Sequence, residues 1–274
     1  MYKLLSILFL ALFSVSCSSC AHLRPDGALI GEKRGSVGII YSKTFLMIST
    51  KPGFTGTSTT PIVFSSAFGT SGTGTVVKHN DKTSFILTAA HVCTLAYENQ
   101  VRSIFPFYDS SMYDKVFTKV NVFYDTKGNP HKAIPFAVNK SYDLCIMISE
   151  RIGAPAIDVS LSPPIEGEKV YYMGFPRGIG GGTVVPAFTG YFSGTMKKRS
   201  STGKDVTAYS VPVAPGSSGS SILNIFGEIV GVIHSYIPAF DNIALSAPHS
   251  KVVEILEESE KQYDLVKDTI EKDF

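Results

Sequence analysis

Pro215-Gly216-Ser217-Ser218-Gly219-Ser220 lies between two apolar stretches, Ala208 to Val213 and Ser221 to Leu223. Glycine tolerates positive φ, so such a loop can fold tightly and aim backbone N–H groups at one point. A serine held there would sit beside donors able to stabilise a negative oxygen, an effect of roughly 3–4 kcal/mol per donor. Four serines compete: Ser217, Ser218, Ser220 and Ser221. Only Ser218 has glycine both two residues before it and one residue after it.

A serine hydroxyl is a weak nucleophile at neutral pH unless a base takes its proton. Two upstream segments supply the partners. In Leu87-Thr88-Ala89-Ala90-His91-Val92 a strand runs out into small residues and a histidine follows, leaving room for an imidazole, the natural base near neutral pH. In Ser141-Tyr142-Asp143-Leu144-Cys145-Ile146-Met147 an acidic residue opens an apolar strand. Aspartate is poor in strands and costly to bury unpaired. Read alone, Asp143 fits a turn cap equally well. Beside His91 it would accept the imidazole Nδ1–H and hold the tautomer. His22, His79, His131 and His249 lack such company and read as structural.

The order His91, Asp143, Ser218 matches the chymotrypsin arrangement and differs from the subtilisin and α/β-hydrolase orders. The resemblance then becomes specific. Thr88-Ala89-Ala90-His91-Val92, Asp143-Leu144 and Pro215 to Ser220 resemble the three motifs of trypsin-like peptidases of the HtrA/Deg kind, and the chain is also similar to glutamyl endopeptidases. Asn224 with Gly227-Glu228-Ile229-Val230-Gly231, Gly174-Phe175-Pro176 with Gly178, and Ala244 to Pro248 resemble further HtrA elements. Coverage runs from about residue 62 to 256. The resemblance implies an all-β fold of two antiparallel six-stranded barrels with the site between them, then a C-terminal helix. It implies an oxyanion hole from the N–H groups of Gly216 and Ser218. It also implies a serine endopeptidase acting on proteins or peptides. Ser217, Ser220 and Ser221 depart from the family's Asn, second Gly and Pro. The alternative function is a catalytically silent binding protein on the same fold.

Strand-like stretches fit this fold: Gly74 to Val77 and Ser84 to Leu87 as a hairpin, Val116 to Tyr124, Leu144 to Ile148, Lys169 to Gly174, Thr189 to Gly194, Ala208 to Val213 and Glu228 to His234. The expected organisation is a signal segment over 1–21, an extension over 22–60, barrels over 61–150 and 151–248, and a helix over 249–274. Strand-like pieces also occur inside the extension, at Val37 to Tyr41 and Thr44 to Ser49. Val252, Leu256, Tyr263, Val266 and Ile270 recur at helical spacing, with Ser250 as a candidate cap. The 52 residues from His91 to Asp143 exceed the compact HtrA spacing and predict an insertion around Tyr97 to Pro130. Lys197-Lys198-Arg199 reads as an exposed hairpin tip. About 18 residues follow Leu256, too few for the PDZ domain that HtrA proteins carry.

Lys3 and the apolar run Leu4 to Val15 form a signal-like segment, too short to span a bilayer as a mature helix. Cleavage before Cys17 would leave a lipid-anchored cysteine; cleavage after Ala21 would free the chain. Either predicts export, to the periplasm, the medium or the outer face of a membrane. Export permits disulfides. Cys93 and Cys145 each lie two residues after a triad candidate, so a bridge is open to them, with two buried thiols the favoured reading.

For specificity, the walls of the first-position pocket fall on Tyr209 to Ala214 and Val232 to Tyr236. Val213, His234 and Ser235 are the candidates. Neither stretch holds a carboxylate, so a preference for Lys or Arg is unsupported. His234 falls one residue later than the glutamate-binding His of glutamyl endopeptidases, which favours a position outside the pocket. A net charge of +2 argues against nucleic acid. No ligand spacing points to a metal, no phosphate loop to a nucleotide, and no cofactor is expected; Gly180-Gly181-Gly182 lacks the lysine such a loop needs.

Overall fold

The computed structural model describes residues 26–51, 63–94, 113–179, 183–199, 203–237 and 240–270. The segments carrying Cys17, Gly180 to Gly182 and much of the expected insertion, 95–112, lie outside them.

The described residues open with helix α1 (Asp26–Lys33) and one 3-10 turn (Arg34–Ser36). Six strands follow: β1 (Val37–Thr50), β2 (Val63–His79), β3 (Thr83–Ala89), β4 (Tyr113–Tyr124), β5 (Pro130–Asn139) and β6 (Leu144–Glu150). They close a barrel in the order β1-β2-β3-β6-β5-β4. The second barrel holds β7 (Lys169–Met173), β8 (Ala187–Arg199), β9 (Lys204–Ser210), β10 (Ser221–Leu223), β11 (Ile229–Ile237) and β12 (Phe240–Ser246). Its order is β10-β11-β12-β9-β8-β7, and every pairing within both barrels is antiparallel. The expected fold class is therefore what the chain adopts.

Two boundaries move. The extension expected over 22–60 is not outside the first barrel: residues 37–50 are its strand β1, paired with β2 on one side and β4 on the other. The alternation explains it. Ile40, Ser42, Thr44, Leu46 and Ile48 are buried, while Tyr41, Lys43, Phe45 and Met47 face solvent. The insertion expected around Tyr97 to Pro130 ends earlier: residues 113–124, with the strand-like stretch Val116 to Tyr124, form the barrel strand β4. Lys197 to Arg199, expected as a hairpin tip, instead end strand β8, with Arg199 opposite Lys204 of β9; residues 200–202 between them lie outside the described residues.

Helix α3 (His249–Ile270) is the last of the described elements and packs on β5 and β6 of the first barrel and β11 of the second. It starts one residue before the candidate cap Ser250. Val252, Ile255 and Tyr263 are buried; Val266 is exposed. The Tyr263 ring meets Phe85 at 5.1 Å and Phe136 at 6.2 Å edge-on, and its hydroxyl lies 2.8 Å from Thr83 Oγ1. The same core cluster joins Leu144 of the first barrel to Phe175 and Val232 of the second. The barrels thus share one apolar seam, and the segments that cross it carry the candidate site.

Candidate active site

His91 follows directly from the ladder of β3 and β6. The last pairs, Thr88 with Cys145 and Ala89 with Leu144, bring the end of β3 beside the start of β6. The chain then turns through one helical turn, α2 (Ala90–Cys93), which carries His91. Asp143 sits in the turn just before β6. Asn139 Oδ1 shapes that turn by accepting the Ser141 and Tyr142 N–H groups, both at 3.1 Å. Asp143 itself has φ 55°, in the left-handed region where Asp and Asn are tolerated.

The two side chains meet. Asp143 Oδ2 lies 2.7 Å from His91 Nδ1, and Oδ1 accepts the His91 backbone N–H at 2.8 Å. The Ala90 N–H donates to Asp143 O at 3.1 Å. The carboxylate therefore orients the ring and its backbone together. His91 is exposed, with Nε2 left for other chemistry, and Asp143 is half-buried.

Behind this pair the sulfurs of Cys93 and Cys145 are bonded, with the Cα atoms 6.6 Å apart. The favoured expectation of free thiols is thus corrected. The β3–β6 pairing of Thr88 with Cys145, followed by the turn to Cys93, brings both cysteines to one side. The outgoing carbonyls of α2 are gripped by three polar side chains that the motifs gave no hint of. Lys119 Nζ donates to Val92 O at 2.6 Å and to Thr94 O at 2.5 Å. Asn121 Nδ2 donates to Cys93 O at 3.2 Å. Ser42 Oγ lies 3.1 Å from Val92 O and 2.6 Å from Asn121 Oδ1. Burial pushes the Lys119 ammonium down to about 8.

The Ser218 loop joins β9 to β10. Gly216 and Gly219 have φ +98° and +87°. A Cβ on Gly216 would stand 2.4 Å from Phe175 O, so only glycine fits. The loop's peptide groups can be followed one by one. Pro215 O accepts the Arg177 N–H at 2.5 Å, Gly216 O accepts Thr73 Oγ1 at 3.0 Å, Ser217 O accepts the Ser220 N–H at 3.0 Å, and Ser218 O accepts the Thr73 N–H at 2.8 Å. Of the N–H groups, Ser217 donates to Ala214 O at 2.9 Å and Gly219 to Ile233 O at 2.6 Å. Those of Gly216 and Ser218 donate to no acceptor among the described residues. They are two residues apart, on either side of an N–H that points back into the loop.

Tyr172 lies beneath this loop. Its hydroxyl donates to Pro212 O and lies 3.5 Å from the buried Ser217 Oγ. Burial pushes its pKa up to about 12. Val213 is buried in the core of the second barrel with Val211 and Tyr209. His234 falls at a bulge between Ile233 and Ser235, and both His234 and Ser235 are half-buried. Ile233 pairs through its N–H and C=O with Ser220 and Gly219, so His234 follows directly on the residue that anchors the loop. No cluster of His, Cys, Asp and Glu able to hold a metal occurs among the described residues.

Comparison with known proteins gives one family and one fold. No curated protein matches the chain. Among solved structures it is similar to the Rv3671c protease of M. tuberculosis in its active form: 16% identity, 84% of this chain, 82% of that chain, TM-score 0.56. It is similar to a serine endoprotease of Yersinia pestis: 16% identity, 86% of this chain, 66% of that one, TM-score 0.56. It is also similar to the HtrA-type protease AlgW solved with a tripeptide: 14% identity, 85% of this chain, 63% of that one, TM-score 0.58. At such identities these likenesses speak to the fold. The model of the trypsin-like peptidase domain matches residues 72–232, more than half of the chain and a span that includes His91, Asp143 and Ser218. The chain belongs to the trypsin-like peptidase domain family.

Proposed function

We propose that this chain is an exported serine endopeptidase that cleaves peptide bonds through an acyl-enzyme on Ser218. The observation that carries the reading is the pattern of peptide groups in the Ser218 loop. All four carbonyls from Pro215 to Ser218 are bonded, and between Gly216 and Gly219 the N–H groups of Gly216 and Ser218 are the two with no acceptor among the described residues. An unpaired N–H is costly in a folded protein, and a pair that includes the N–H of Ser218 itself suits a negative oxygen formed beside that serine. The His91–Asp143 pair supports the same reading.

In this account the Ser218 hydroxyl attacks the scissile carbonyl while His91 Nε2 takes its proton. Asp143 stabilises the imidazolium through Nδ1–H. The carbonyl oxygen, now negative, sits against the Gly216 and Ser218 N–H groups. His91 then gives its proton to the leaving amine, and the acyl-enzyme forms. Water, activated by His91, attacks the ester, and Ser218 recovers its proton as the acid leaves. The pocket for the residue before the scissile bond is bounded by Val213, His234 and Ser235. None of these three side chains is a carboxylate, and a basic residue is not expected to be preferred.

Export rests on the Lys3 to Val15 segment and on the Cys93–Cys145 bridge, since disulfides persist in oxidising compartments. No helix among the described residues is long and apolar enough to cross a membrane. Attachment through a lipidated Cys17 and free release after Ala21 are distinguished by the mass of the mature N-terminus.

Casein hydrolysis tests the function. Wild type is expected to cut casein, and Ser218→Ala to lose at least about a thousandfold in rate while melting at the same temperature. A folded wild type without activity on casein and without reaction with an alkyl fluorophosphonate would defeat the proposal.

A further inference from the structure

Thr73 lies on β2, in the barrel opposite the nucleophile loop, and is fully buried. The β2–β3 ladder runs from Thr75 with Leu87 onward, so Thr73 stands beyond its end. Its polar groups turn across the seam instead. The N–H donates to Ser218 O at 2.8 Å, and Oγ1 donates to Gly216 O at 3.0 Å. The same Oγ1 accepts the Phe175 N–H at 3.1 Å. The carbonyl accepts Thr88 Oγ1 at 2.8 Å, from the strand that leads to His91. One residue of the first barrel therefore touches both carbonyls that alternate with the two unpaired N–H groups.

We infer that Thr73 is a positioning residue that sets the oxyanion hole from across the barrel seam, through its hydroxyl on Gly216 O and its N–H on Ser218 O. This rests on the proposed chemistry of Ser218. The reasoning is geometric. A peptide unit is planar, so fixing its carbonyl oxygen fixes the N–H of the next residue. Thr73 Oγ1 on Gly216 O turns the Ser217 N–H back into the loop, towards Ala214 O. Thr73 N–H on Ser218 O turns the Gly219 N–H towards Ile233 O. The units between and before these, ending in the Ser218 and Gly216 N–H groups, are held by the Ser220 N–H on Ser217 O and the Arg177 N–H on Pro215 O, and Thr73 fixes the two units that alternate with them. Gly216 has no side chain of its own to resist rotation, so the hold must come from its neighbours. The direction of Thr73 Oγ1–H is fixed too: the Phe175 N–H can only donate and Gly216 O can only accept, so the hydroxyl proton points to Gly216 O.

Neighbouring positions agree with a close approach. A Cβ on Gly72 would come within 3.0 Å of Ser218 O and 2.6 Å of Val92. A Cβ on Gly219 would stand 2.1 Å from Thr73 O. Glycine before Thr73 and glycine after Ser218 allow the two backbones to come together.

The test compares full-length wild type, Thr73→Val and Thr73→Ser. Valine keeps the shape and the N–H and removes the hydroxyl; serine keeps the hydroxyl. The readout is the second-order rate of labelling by an alkyl fluorophosphonate, whose phosphoryl oxygen must enter the same hole, measured across pH with melting temperature. Loss of a whole oxyanion donor costs about 100- to 1,000-fold, so a misaligned hole in Thr73→Val is expected to slow labelling about 10- to 100-fold. Thr73→Ser is expected to stay within about threefold of wild type. The pH midpoint of labelling should not move, because the hydroxyl touches neither His91 nor Asp143. If Thr73→Val does not fold, Thr73→Cys, with only a weak donor, takes its place and should show the same slowing. Folded Thr73→Val or Thr73→Cys labelled at the wild-type rate would overturn the inference, as would Thr73→Ser that is folded and equally slow. Wild type that folds but takes no label defeats the Ser218 chemistry, and this inference with it.

Discussion

Asp143 Oδ2 lies 2.7 Å from His91 Nδ1 while Asp143 Oδ1 accepts the His91 backbone N–H at 2.8 Å. One carboxylate thus fixes both the ring and the main chain of the candidate base. Asp143→Asn separates the charge from the shape. Asparagine tolerates the φ of 55° at this position, so the turn should survive. The expected result is an unchanged melting temperature with peptide hydrolysis reduced about 10,000-fold, because the amide favours the wrong imidazole tautomer. A loss below tenfold would mean that His91 does not act as the base.

The Cys93–Cys145 bridge joins points two residues beyond His91 and two beyond Asp143. Its sequence separation is 52 residues, which predicts a stabilisation of about 2–4 kcal/mol. The Cys93→Ala/Cys145→Ala double variant should lose that amount in urea denaturation. Both cysteines are buried, so dithiothreitol should leave the native protein intact and act only where it begins to unfold.

Lys119 gives a pH dependence. Burial holds its folded pKa at about 8, against an ordinary 10.5. Between those values the unfolded chain keeps a proton that the folded one releases, so folding becomes more favourable as pH rises through the window. Below pH 8 the buried charge is a standing cost. Lys119→Met removes this linkage. Urea denaturation at pH 7 and pH 10 should show wild type gaining stability relative to Lys119→Met as pH rises. A constant or falling difference would show that the Val92 and Thr94 carbonyls compensate for the burial.

The three motifs were legible in the sequence because each carries its own local signature: small residues before His91, an acid opening the strand after Asp143, and glycines around Ser218. The helix was legible from its period, and ten of the strands left at least a partial mark. Strand β5 left little, since most of its side chains are half or fully exposed and Pro135 lies inside it. Strand β12 starts with Asp241 and Asn242 near its head, both poor strand formers. Thr73, Lys119 and Asn121 were silent for a different reason. Their partners lie tens to more than a hundred residues away, and nothing in the periodicity near Gly72-Thr73-Gly74 marks a hydroxyl that reaches Gly216. The bridge between Cys93 and Cys145 needed the β3–β6 register before it could be distinguished from two thiols.

Helix α3 should be a stabilising clasp through Tyr263, which packs on Phe85 and Phe136 and bonds to Thr83. Tyr263→Ala is expected to cost about 3–5 kcal/mol by opening a cavity between helix and barrel. Tyr263→Phe keeps the rings in place and should cost about 1 kcal/mol, the value of the hydroxyl contact with Thr83. Thermal and urea unfolding measure both. Equal effects of the two variants would place the stabilisation in the hydrogen bond and not in the packing.

Whether Ser218 is the nucleophile is read directly from which residue an active-site reagent modifies. Wild-type protein is treated with an alkyl fluorophosphonate, digested, and the modified residue located by tandem mass spectrometry. A single phosphonyl adduct is expected on Ser218, absent after prior unfolding and absent from Ser218→Ala. An adduct on Ser217, Ser220 or Ser221, or labelling that persists in Ser218→Ala, would contradict it.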